Sequence, residues 1–136
     1  MVSKGDNMYS QAAKQYQSVN TETSVMDADP HRLIQLLLEG ALARIAKAIG
    51  CVQRGDAEEK NNSINRAIAI IGGLRDSLDM DQGDLAANLE RLYEYMEYRL
   101  FQANVHNDVS ALEEVGRLLG EIKSAWDGIR DETVKG

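Results

Sequence analysis

Few side chains in this 136-residue chain are able to do chemistry, and their spacing excludes most of it. The two imidazoles, His31 and His106, lie far apart, and neither falls in a His-Glu-x-x-His or paired Cys/His pattern that would hold zinc. Neither has a Glu three residues before it, so the ligand pair of a di-iron helical bundle is missing as well. Cys51 is the only cysteine, which allows no internal disulfide and no cysteine zinc site. On the apolar side of a helix it reads as a small hydrophobe rather than a reactive thiol. Asp79, Asp81 and Gly83 alternate, with Glu90 at the twelfth position, as in a calcium loop. The sixth position of such a loop needs Gly for its sharp turn and here holds Asp84, while the fifth lacks an acceptor, so these acids read as turn and cap formers. Asn61-Asn62-Ser63 matches the glycosylation sequon, a pattern too short to carry weight alone. No glycine-rich phosphate loop follows a strand, and no nucleophile, base and orienting group can be assembled. The expectation is a protein without catalysis, metal or cofactor.

The elements that carry these residues read as helices. A single Pro leaves little to punctuate a many-stranded fold, and 43% apolar residues supply a core for one domain. Asp29-Pro30 opens a first helix over 30–54, in which Leu33, Ile34, Leu37, Leu38, Ala41, Ile45, Ala48, Ile49 and Val52 recur at steps of three and four. Its apolar arc covers nearly half the circumference, so it either packs against two neighbours or lines a groove. Ile64, Ala67, Ile68, Ile71, Leu74 and Leu78 mark a second helix over 58–78. Leu85, Leu89, Leu92, Met96 and Leu100 mark a third over 85–104. Leu112, Val115, Leu119, Ile122, Trp126 and Ile129 mark a fourth from Asp108 to about Arg130. Connections of a few residues force sequential helices to be antiparallel neighbours, which gives an all-α, up-down-up-down four-helix bundle over 29–131. Residues 1–28 form a leader with too few apolar groups to make a helix but enough to dock on one, and 132–136 form a tail.

Fifteen basic against twenty-two acidic residues give a net charge of −7, a surface repelled by nucleic acid and anionic lipid. No apolar run reaches membrane-spanning length, and the N-terminus lacks the apolar core of a secretory signal. What stands above background is surplus apolar surface. Tyr98, Phe101 and Val105 project together on the side of the third helix opposite its core stripe, as an interaction patch or as a surface for the leader to cover. Gly116 and Gly120 on the fourth helix form a small-residue pair that admits a close backbone. With Leu38, Leu42 and Ile49 of the wide first-helix arc, these residues make up the candidate groove, and Tyr16 and Val19 of the leader are its candidate cover.

Longer stretches carry a family resemblance. Tyr16-Gln17-Ser18-Val19, the run 25–45 with Asp29-Pro30-His31-Arg32-Leu33, the run 88–96, the run 99–104, the run 114–119 and Ala125-Trp126 occur in the order and at the separations seen in bacterial flagellar export chaperones of the FliS type. The resemblance covers roughly residues 9–130, which leaves Met1 to Asn7 outside it and marks Met8 as an alternative start. It implies a small cytoplasmic helical bundle that holds the disordered C-terminal segment of flagellin, prevents premature assembly and presents the subunit to a component of the flagellar type III export gate. It also implies that the segment around Tyr16 covers a groove in the free chaperone. A second reading, from a different class, is a structural bundle that forms a homodimer through the same patch and has no client.

Overall fold

The computed structural model describes the backbone of residues 29–135 and the side chains of residues 29–129, so the leader residues Tyr16 and Val19 lie outside the described part. Four helices follow one another: α1 Pro30–Arg54, α2 Ala57–Asp76, α3 Asp84–His106 and α4 Val109–Lys135, with a 3-10 turn at Met80–Gln82 before α3. No strand occurs among the described residues. Each helix starts or stops for a local reason. Asp29 accepts a hydrogen bond from the Arg32 amide at 2.7 Å, and Asp56 one from the Glu59 amide at 3.2 Å. Gly55 takes a left-handed conformation (φ 75°) that closes α1, with the Asp56 amide donating to the Cys51 carbonyl at 2.9 Å. Asn107, also left-handed at φ 52°, ends α3, and Asp108 accepts from the Ala111 amide at 3.2 Å to begin α4. In the acidic loop, Asp79 accepts from the Asp81 amide at 3.0 Å, and Gly83 adopts φ 72°, ψ −133°, a conformation suited to glycine. The acids there cap and turn the chain.

The helices close into a ring, α1 on α2, α2 on α3, α3 on α4 and α4 back on α1, sequential neighbours running antiparallel. α1 therefore buries two faces, which accounts for its wide apolar arc: Leu37, Leu38, Ala41 and Ala48 are fully enclosed. Ile64, Ile71, Met96, Leu100, Leu112 and Leu119 meet them from the other three helices. Two residues expected in the core lie outside it. Leu85 is 67% exposed because it stands in the first turn of α3, at the open end of the bundle. Ile129 is 50% exposed because α4 overhangs the start of α1, whose first turn is level with Trp126. α4 also continues past Arg130 to Lys135, since Gly128 alone costs about 1 kcal/mol and no proline follows to stop the helix. The Asn61 sequon lies within α2, with Asn61 exposed and Ser63 fully buried.

One core position works against stability. Arg44 is 92% buried between α1 and α2, its Nη2 atom has no hydrogen-bond partner, and Arg66 repels it. Desolvation first and Arg66 second hold the guanidinium below its ordinary pKa, while Glu59, which attracts it, lies 3.4 Å from Lys47. Arg44→Met keeps the packed stem and removes the buried charge. It is expected to raise unfolding stability by about 1–2 kcal/mol in urea titration; a loss of stability would show that the guanidinium contributes more than it costs.

Candidate functional site

Two apolar surfaces remain once the core is formed. The first runs along α3. This helix turns Tyr93, Met96, Leu100 and Ala103 inward, which leaves Tyr98, Phe101 and Val105 on the outer side at 59%, 61% and 59% exposure. The expected patch is therefore a free outer strip. A polar ladder fixes its edge: Tyr95 Oη donates to Glu114 Oε2 at 2.8 Å, Arg99 Nε donates to Glu114 Oε1 at 2.6 Å, Arg99 Nη1 donates to Gln102, and Gln102 donates to Tyr98 Oη at 3.1 Å. The Arg99 hydrogen bond, with that of Tyr95, holds the Glu114 carboxyl below the usual carboxylate range, and the same carboxylate pushes the Tyr95 phenol up. Tyr98 is thus held from the ladder side, while Phe101 and Val105 present bare apolar surface.

The α1/α4 seam is a separate place. Leu42 and Ile49 are half-buried along it, but Leu38, expected on a groove, is fully enclosed and underlies the seam instead of lining it. A side chain is shut in here because α1 is flanked by both α2 and α4. A Cβ added at Gly116 would lie 3.7 Å from Ile45 Cγ2, an ordinary contact, and one at Gly120 would meet open space. The glycine pair is not what brings α1 and α4 together. Leu42 and Ile49 belong to α1 and Gly116 and Gly120 to α4, which packs on it, whereas Tyr98, Phe101 and Val105 stand on the outer side of α3, so the expected residues fall on two surfaces and not one groove.

The second apolar surface is a cavity of about 620 Å³ at the end of the bundle where α1 begins and α4 nears its end. Ile34, Leu78, Leu89, Tyr93, Ile122 and Trp126 wall it, Leu85 stands at its mouth, and Pro30 and His31 line the α1 side. Burial pushes the Tyr93 phenol up to about 12. A clasp closes the α1–α4 side. His31 and Trp126 stack with ring centroids 4.4 Å apart and planes within 6°, Trp126 Nε1 donates to the His31 carbonyl at 2.9 Å, and His31 Nε2 donates to the Trp126 carbonyl at 2.8 Å. A carbonyl only accepts, so Nε2 carries the ring proton. Gln35 and Lys123 each donate to Asp127 at 2.6 Å beside it. Sequence reasoning missed both cavity and clasp. The walls come from all four helices, and the only local signal was apolar Leu78 and Leu85 flanking an acidic turn.

No group of three His, Cys, Asp or Glu among the described residues is placed to hold a metal ion. Among the described residues no helix is long and apolar enough to cross a membrane.

Comparison with known proteins places this geometry in context. A family model described as flagellar protein FliS matches residues 12–133. The chain is 57% identical over 119 residues to the flagellar secretion chaperone FliSB of Pseudomonas aeruginosa, covering 87% of this chain and 94% of the relative. It is 43% identical over 118 residues to the flagellar secretion chaperone FliS of Salmonella typhimurium, covering 85% and 87%. It is 35% identical over 114 residues to that of Bacillus subtilis, covering 84% and 80%.

Proposed function

The chain belongs to the flagellar protein FliS family, a family of chaperones and not of enzymes, and from that premise we propose that it is a cytoplasmic export chaperone for flagellin. It binds the disordered C-terminal segment of the newly made subunit, keeps it from assembling, and delivers it to a component of the export gate. The observation that carries this reading is the outer strip of α3: three large apolar side chains at helical spacing, each more than half exposed. An amphipathic client helix laid along α3 covers Tyr98, Phe101 and Val105, and an extended segment continues onto the α1/α4 seam at Leu42, Ile49, Gly116 and Gly120. Ordering such a client costs about 2–5 kcal/mol, which keeps the complex separable at export.

Calorimetric titration of a flagellin C-terminal peptide tests it. Phe101→Ala is expected to weaken binding by about 2 kcal/mol, roughly 30-fold, without changing the melting temperature. Unchanged affinity in Phe101→Ala and Tyr98→Ala together would remove α3 from the site, and a dimeric mass with no peptide binding would favour the structural-module reading. Removing residues 9–26 is expected to tighten binding if Tyr16 and Val19 cover the site. At an assumed 90% occupancy by the leader the gain is about tenfold. Weaker binding on truncation would show that the leader holds the client directly.

A further inference from the structure

The end cavity is mostly apolar, with Ser77, Asp79 and Gln82 along the acidic-turn side, and is not on the surface assigned to the client. Its position relative to the chain is specific. Pro30 lines it, so the polypeptide enters the bundle at the cavity itself. Asp29 itself is extended (φ −67°, ψ 165°), outside the helical region. Twenty-eight residues precede Asp29, and apart from the small Ala28 the apolar ones nearest to it are Met26 and Val25, three and four positions upstream. At about 3.3–3.6 Å per extended residue, either side chain reaches roughly 10–14 Å from Asp29. Beyond them Asn20-Thr21-Glu22-Thr23-Ser24 is entirely polar, so Val25-Met26 is an isolated apolar pair bounded by groups that favour water.

We propose that Val25-Met26 of this same chain occupies the end cavity as an intramolecular plug. Met suits the task, because an unbranched thioether fills irregular space and makes favourable contacts at the edge of an aromatic ring such as Trp126. Intramolecular attachment gives the pair a millimolar effective concentration at the cavity, ahead of any free segment of like composition. The consequence is a fixed anchor: the leader starts its path over the bundle from the α1 end, and Tyr16 and Val19 are the part left free to cover another surface. The proposal does not depend on the flagellin reading, and its test uses no client.

The test uses the full chain, with Cys51 left in place since it is buried. Met26→Cys paired with Leu85→Cys, at the cavity mouth, is expected to form an intramolecular disulfide under mild oxidation, located by peptide mass. Met26→Cys paired with Phe101→Cys, on the outer strip, is expected not to. Leu85 is exposed, so its substitution leaves the core intact. Trp126 is the only tryptophan and a wall of the cavity, so it reports independently. Val25→Ser combined with Met26→Ser is expected to shift its emission to the red as water enters. The proposal requires both results. A disulfide to residue 101 would place the segment on the α3 strip, a disulfide only between two molecules would make a second copy the occupant, and an absent Leu85 cross-link or an unmoved Trp126 emission would leave the cavity unplugged. Each of these overturns it.

Discussion

Leu37→Asp is expected to yield a chain with no cooperative thermal transition and little of the helical circular dichroism signal of the parent. Leu37 is fully enclosed in the N-terminal half of α1, among residues of the core to which all four helices contribute. The substitution removes a buried aliphatic side chain, costing about 2–5 kcal/mol, and adds a carboxylate with no partner, costing several more. Their sum approaches the whole stability of a small domain, about 5–15 kcal/mol. Tyr98→Ala is the matched control: at 59% exposure on the opposite side of α3, its loss should change stability by no more than about 0.5 kcal/mol. A folded Leu37→Asp, or an unfolded Tyr98→Ala, would mean that the core has been assigned to the wrong faces.

Trp126→Ala is expected to cost about 3 kcal/mol and to lower the melting temperature by on the order of 10 °C. The side chain stacks on His31, donates to the His31 carbonyl and walls the end cavity, so its removal enlarges an existing void and leaves an acceptor without its donor. The effect should be shared with His31. In a double-mutant cycle, His31→Ala is expected to cost less in the Trp126→Ala background than in the parent, because each residue's stacking needs the other ring. Strict additivity would mean that the two rings contribute separately and the clasp is only an adjacency. Phe at position 126 keeps the stack but loses the indole donor, and should recover part of the loss.

These two sites separate what a helical pattern reveals from what it does not. The step of three and four residues through Leu33, Leu37, Ala41 and Ala48 marks a buried face wherever that helix finally packs, and Asp29, Asp56 and Asp108 mark helix starts through bonds to amides three residues away. Such relations are local, so the number of helices, their order and most of their limits could be read directly. The exposed strip of α3 was legible for the same reason: Tyr98, Phe101 and Val105 lie opposite the core stripe of their own helix.

Pairing across helices is not local. Leu38 and Leu42 are alike in type and lie one turn apart, yet Leu38 is sealed and Leu42 half-buried, because the outcome depends on how closely α2 and α4 approach α1. Leu85 fits the apolar period of α3 but lies in its first turn, at the mouth of the end cavity, a fact about the bundle's end and not about the period. His31 is by its position a first-turn residue of α1, and only the packing of α4 brings Trp126, ninety-five positions later, against it. The all-α class, the helix order, the capping and the free face of α3 follow from hydrogen bonds and periodicities within a few residues, and are therefore legible along the chain. The clasp, the end cavity and the splitting of the expected groove into two surfaces do not follow from these, because each depends on distances between side chains that the packing of separate helices sets.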